Sequence, residues 1–125
     1  MTDKKRILVV DDEVGFTQLL KLNLEKTGAY EVLEENRGVF AVAAAKKFKP
    51  DLILLDIIMP DIDGGQVAAQ IKTREEMKDT PILFLTAIVS KNEMTYKDGR
   101  IGGYPFLAKP IDTDEIIASI EHMLA

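Results

Sequence analysis

The stretch DLILLDIIMPDIDG, Asp51 to Gly64, decides the reading of this chain. Four uninterrupted apolar residues, Leu52 to Leu55, run into Asp56, and a turn rich in Pro and Gly follows at once. An apolar run of strand length with no alternation is the pattern of a strand buried on both faces, as in parallel α/β sheets. Asp56 then stands where a central strand ends, at the carboxyl edge on which open α/β sheets bind ligands and place their chemistry.

Working outward, the same pattern recurs. Ile7 to Val10 is a second apolar run and ends at Asp11, Asp12 and Glu13. Ile82 to Leu85 is a third and ends at Thr86. Tyr30 to Leu33 is shorter and more polar, which points to a strand near a sheet edge. Tyr104 to Ala108 is a last strand, and Pro105 within it cannot donate to a ladder, so an edge position is expected. Lys109 and Pro110 close it.

Helical patterns fall between these runs. From Val14 to Lys26, Phe16, Leu19, Leu20 and Leu24 recur at helical spacing, and Gly28 follows as a stop. Val39 to Phe48 is Ala-rich and is closed by Pro50. Gly64 to about Met77 carries Val67, Ala68 and Ile71 on one face. Lys91 to Asp98 is a weaker helical pattern that gives way to Gly99, Gly102 and Gly103. After Asp112 and Glu115, spaced as in a capping box, Ile116, Ile117, Ile120, Met123 and Leu124 form an apolar stripe. Five strands alternating with five helices predict an α/β fold, a parallel sheet with helices on both faces.

At 125 residues the chain is the size of one domain, so 1–125 is read as a single unit. A net charge of -5 offers no basic stripe for a phosphate backbone, and direct nucleic-acid binding is not expected. The absence of Cys excludes disulfides, thiolate metal sites and thiol redox chemistry. No apolar run is long enough for membrane insertion, and a cytoplasmic location is expected.

Parallel strands bring their carboxyl ends to one edge, so Asp11, Asp12, Asp56, Thr86 and Lys109 should meet there. Taken singly, each has an ordinary structural explanation, such as a turn cap, a strand end or a solvated charge; their coincidence at successive strand ends does not. Three crowded carboxylates need either raised pKa values or a cation between them. Hard oxygen donors without His or Cys point to Mg²⁺, which keeps waters and works with phosphate oxygens. A carboxylate beside such a metal can be a nucleophile that forms an aspartyl phosphate. Thr86 and Lys109 are suited to hold the oxygens of a transferred phosphoryl group.

The ordered set ILVVDDE, LLDIIMPDIDG, PILFLTA and FLAKP resembles the receiver domain of two-component response regulators, over essentially the whole chain. The resemblance implies a flavodoxin-like, doubly wound (βα)5 fold with strand order 2-1-3-4-5. It implies Asp56 as the phosphoacceptor, taking its phosphoryl group from a sensor histidine kinase or a phosphotransfer protein. Asp12 would be a direct Mg²⁺ ligand, Asp11 would act mostly through water, and the backbone carbonyl of Ile58 would complete the protein ligands. Thr86 would bond the phosphoryl group and Lys109 would pair with it, while Phe106 would be the aromatic switch that turns inward as Thr86 moves. Plain core packing is the competing role for Phe106. Pro110 is expected in cis. The output would be protein binding through the face built from Lys91–Asp98, the last strand and the final helix. The effector is undefined, and the chain would be a monomer or weak dimer. It would be a signalling phosphoacceptor that catalyses its own phosphorylation and dephosphorylation.

Several residues depart from the family pattern. Ile58 and Ile88 lie two positions past Asp56 and Thr86 and are apolar, so neither can orient an attacking water, and slow loss of the phosphoryl group is expected. Pro105 replaces an acid that contributes to activated dimers in DNA-binding members. Gly65 stands where a larger apolar residue is common. His122 is expected to face solvent. Two rival readings are a Mg²⁺-dependent phosphohydrolase working through an aspartyl phosphate and a flavodoxin-like electron carrier. The first lacks an acid two residues after its nucleophile, and the acids of DDEVGF would repel the phosphate of a flavin.

Overall fold

Every second residue of the apolar runs points to the opposite face of one sheet, as the period of a strand requires. The computed structural model describes residues 3–87, 100–101 and 103–125, with 100–101 described by backbone alone. The strands are β1 (Lys5–Val10), β2 (Tyr30–Glu35), β3 (Leu52–Asp56), β4 (Ile82–Thr86), β5 (Arg100–Ile101) and β6 (Tyr104–Ala108). The helices are α1 (Val14–Lys26), α2 (Ala41–Phe48), α3 (Gly64–Lys72) and α4 (Thr113–Leu124). The helix expected over Lys91–Asp98, and with it Ile88, Gly99 and Gly102, lies outside the described residues.

The sheet order is β2-β1-β3-β4-β6-β5. Five strands are parallel, in the order expected for the flavodoxin-like fold, with β6 as the fifth. One addition was not foreseen: β5 pairs antiparallel with β6, setting Arg100 opposite Pro105 and Ile101 opposite Tyr104. The edge inferred from Pro105 is therefore partly covered, by a two-residue strand that joins β6 through Gly103, whose φ of 89° suits glycine.

Both faces of the sheet are packed. Leu8, Val10, Ile53, Leu55, Ile82 and Phe84 meet Ala41 and Ala45 of α2 and Val67, Ala68 and Ile71 of α3. On the other face Ile7, Val9, Leu52, Leu54, Leu83 and Leu85 meet Leu20 and Leu24 of α1 and Ile116 and Ile120 of α4. The interior of β1 and all four apolar residues of β3 have no solvent exposure, which is why they carry no polar alternation.

Local signals set most boundaries. Asp112 Oδ1 accepts from the Glu115 N–H at 2.7 Å and starts α4. The Gly28 N–H donates to Glu25 O at the end of α1, with φ of 81° at Gly28. Two expectations need correction. Leu19 is 59% exposed and does not belong to the buried stripe of α1; the buried positions are Thr17, Leu20 and Leu24. And α3 ends at Lys72, short of Met77, because the Thr73 hydroxyl donates to Gln70 O and a run of turns follows.

Candidate functional site

The register of the central strands sets the site. Asp11 follows Val10 directly, Asp56 is the last residue of β3 opposite Leu85, and Thr86 is the last residue of β4 opposite Ala108. The Lys109 N–H then donates to Thr86 O at 2.7 Å. Asp11, Asp12 and Asp56 each offer a carboxylate oxygen within 4.8 Å of the others. Asp11 is fully buried, Asp56 is 3% exposed and Asp12 is exposed.

Backbone groups hold the two buried acids. The Glu13 N–H donates to Asp11 Oδ1 at 2.9 Å, and the Ile58 N–H donates to Asp56 Oδ1 at 3.3 Å. The loop after Asp56 returns against α3, where the Gly64 N–H donates to Ile57 O at 2.8 Å. A Cβ on Gly64 would run into the Asp56 carbonyl oxygen and lie 2.7 Å from the Ile57 Cα. Glycine is thus required at the start of α3 for the Asp56–Ile57 backbone to pass so close. A Cβ on Gly65 would meet only the Asp63 carboxylate, at 3.0 Å.

The electrostatics follow from burial. Burial, then the charge of Asp11, pushes the Asp56 carboxyl up to about 7. Burial also raises Asp11, against the hydrogen bond from Lys109. Burial alone would lower Lys109, but its hydrogen bonds to Asp11 and Glu13 reverse this and hold it above its ordinary value. The ammonium nitrogen is 2.7 Å from Asp11 Oδ2, 2.9 Å from Glu13 Oε1 and 4.5 Å from the centre of the Phe16 ring. Two buried carboxyls that hold their protons too tightly, beside an exposed third, form a hard oxygen donor set. A divalent cation such as Mg²⁺ fits it, because the cation takes over from the protons the task of neutralising charge.

The structure thus gathers Asp11, Asp12, Asp56 and Lys109 directly, with Thr86 buried and joined to Lys109 through its carbonyl. Ile58 lies beside Asp56 with its side chain 51% exposed. Phe106 is half-buried, opposite Phe84 in register, and packs on the cluster between the sheet and helices α2 and α3. The Lys109–Pro110 peptide bond is cis. His122 is exposed. Sequence reasoning gave no role to Glu13, to Phe16 as a cover for Lys109, or to Gly64. The third acid in DDE was the available sign of the first; for Gly64 it was the place at the end of LLDIIMPDIDG, where the neighbouring Gly65 departs from the family pattern.

Among the described residues no helix is long and apolar enough to cross a membrane. The family model described as response regulator receiver domain matches residues 7–121. Protein PilH of Pseudomonas aeruginosa is 36% identical over 122 residues, covering 96% of this chain and 98% of PilH. The alkaline phosphatase synthesis transcriptional regulatory protein PhoP of Bacillus subtilis is 38% identical, covering 96% of this chain and 48% of PhoP. The chain therefore spans about half the length of PhoP, and the same holds for the transcriptional regulator RpaA of Synechocystis, of which it covers 48%. Among solved structures, chemotaxis protein CheY4 of Vibrio cholerae superposes with a TM-score of 0.84 at 28% identity, over 96% of this chain and 98% of CheY4. With its parallel sheet, its cluster of acids at the strand ends and a family match spanning nearly its whole length, the chain belongs to the response regulator receiver domain family.

Proposed function

We propose that residues 1–125 act as one receiver unit in which Asp56 is the phosphoacceptor. The observation that carries this is the buried Asp56 carboxylate at the end of β3, within 4.8 Å of oxygens from Asp11 and Asp12. A carboxylate so placed is short of solvation and therefore reactive towards an electrophilic phosphorus once its charge is shared. An Asp56 oxygen forms the new O–P bond as the P–N bond of a phosphohistidine breaks, and the imidazole of the donor leaves. The donor is a sensor histidine kinase or a phosphotransfer protein.

Asp12 and Asp56, with the Ile58 carbonyl, are the direct Mg²⁺ ligands in this reading, and Asp11 acts mostly through water. When bound, Mg²⁺ supplies charge neutralisation for phosphoryl oxygens beside the acids. The Thr86 hydroxyl and the Lys109 ammonium take the remaining oxygens, where catalysis is mainly positioning and charge. For Lys109 this requires an exchange of partners, from Asp11 and Glu13 to the phosphoryl group. Phe106 turns further into the cluster beneath it as Thr86 moves, and the face around β6 and α4 then changes its affinity for a protein effector. The receiver catalyses its own phosphorylation and dephosphorylation, without direct nucleic-acid binding or membrane insertion, as a cytoplasmic monomer or weak dimer. Family membership favours this over a small-molecule phosphohydrolase or an electron carrier.

The test is incubation with acetyl phosphate and Mg²⁺, followed by intact mass. The wild type gains one phosphoryl group and Asp56→Asn gains none; a wild type that stays unmodified ends the proposal.

A further inference from the structure

Asn36 follows the last residue of β2, and its side-chain amide donates twice. The nitrogen is 2.8 Å from the Asp11 carbonyl oxygen and 2.9 Å from Thr17 Oγ1. A carbonyl oxygen can only accept, which fixes the orientation of the amide. Thr17 is fully buried, and its hydroxyl, accepting from Asn36, donates in turn to Glu34 Oε2 at 2.9 Å. On the other side of the same residue, the Asp11 N–H donates to Glu35 O at 3.1 Å. Consecutive residues at the end of β2 therefore grip Asp11 by both of its backbone groups.

The Asp11 carbonyl belongs to the peptide that links Asp11 to Asp12. Asp12 is exposed and shares a side-chain hydrogen bond with Asp56, so the direction of its carboxylate depends on its main chain as well as on that contact. We propose that Asn36 is a positioning residue for the cation site, holding the plane of the Asp11–Asp12 peptide so that the Asp12 carboxylate faces Asp56. Asn36 needs no contact with the cation to do this. It acts as outer partners of metal ligands do, by limiting the directions its neighbour can take. The anchoring extends into α1 through Thr17 and back into β2 through Glu34, so the peptide is tied to two elements at once.

This inference rests on the reading of the acids as a Mg²⁺ site, and the experiment separates the two. Calorimetric titration of Mg²⁺ compares wild type, Asn36→Ala and Asn23→Ala. The last removes an equivalent amide, whose nitrogen is 3.1 Å from Thr113 Oγ1 and ties α1 to α4 away from the acids. Asn36→Ala is expected to weaken Mg²⁺ binding by roughly tenfold and Asn23→Ala by less than about twofold. Both lower the metal-free melting temperature. At saturating Mg²⁺ the rate of phosphorylation of Asn36→Ala by acetyl phosphate returns to the wild-type value, as expected of a residue that acts through affinity. The metal-free Asp12 amide resonance also shifts in Asn36→Ala and not in Asn23→Ala. Unchanged Mg²⁺ affinity in Asn36→Ala, equal loss in Asn23→Ala, or a rate that saturating Mg²⁺ does not restore overturns the inference. A wild type that binds no Mg²⁺ removes the site reading, and this inference with it. If Asn36→Ala does not fold, Thr17→Val removes the other end of the bracket: weaker Mg²⁺ binding supports the inference and unchanged binding overturns it.

Discussion

The Lys109 ammonium group sits 2.7 Å from Asp11 Oδ2, so the cation assigned to the phosphoryl group is held here by an acid of the proposed metal site. Asp11 is fully buried, and Lys109 is the only cation with which it forms an ion pair among the described residues. Lys109→Met, which keeps the stem over Phe16, leaves that carboxylate uncompensated. A loss on the order of 3 kcal/mol is expected from urea unfolding of the metal-free protein at pH 8. The loss should shrink as pH is lowered, because burial already raises Asp11 and a proton relieves its charge. A loss that does not vary with pH would contradict the assignment.

Asp56 makes a second pH dependence, whose sign is fixed by its raised pKa of about 7 against the ordinary 3.8. The folded protein keeps a proton on this carboxyl that the unfolded chain releases. Its stabilising contribution is therefore complete below pH 3.8, is lost as pH rises to about 7, and is absent above. At ~1.4 kcal/mol per pKa unit the change amounts to some 4 kcal/mol. Without metal, Asp56→Asn should become increasingly more stable than wild type between pH 4 and 7, and Mg²⁺ should narrow the gap. A stability difference that does not vary with pH would refute this.

Gly64 and Gly65 stand side by side with different constraints. Gly64→Ala drives a Cβ into the Asp56–Ile57 backbone, and a cost of about 1–3 kcal/mol is expected, with slower phosphorylation because the nucleophile is displaced. Gly65→Ala meets only a carboxylate that can rotate aside and should be milder on both counts. Chemical denaturation and phosphorylation rates of the two variants test the contrast.

Ile58 follows Asp56 by two residues and presents an apolar, half-exposed side chain. An amide there can hydrogen-bond a water, so Ile58→Asn should shorten the lifetime of phosphorylated Asp56, measured by release of inorganic phosphate. A lifetime that stays the same or lengthens counts against a role for Ile58 in slowing loss of the phosphoryl group.

The strands were legible because burial on both faces leaves no choice of residue type. Ile7–Val10 and Leu52–Leu55 are unbroken for that reason, and their carboxyl ends delivered Asp11 and Asp56 to one edge. α1 was less legible. Leu19, Leu20, Leu22 and Leu24 support more than one stripe, and the true one includes Thr17, a polar residue whose burial depends on Glu34 of β2 and on Asn36 just after that strand. Such partners are distant in sequence and leave no periodic trace. The same holds for Glu13: its pairing with Lys109 spans 96 positions. Leu20→Ala should cost roughly 2–5 kcal/mol and Leu19→Ala little, a direct check on which stripe is buried.

The hydrogen bond from the Lys109 N–H to Thr86 O joins the two residues whose side chains are assigned to the phosphoryl oxygens. Because it runs between main-chain atoms, it is indifferent to which side chains stand at either position. Mutation can abolish the hydroxyl or the ammonium and still leave the two strand ends travelling together. Mechanical linkage and chemical capability thus reside in different atoms of the same two residues, the first in the main chain and the second in the side chains.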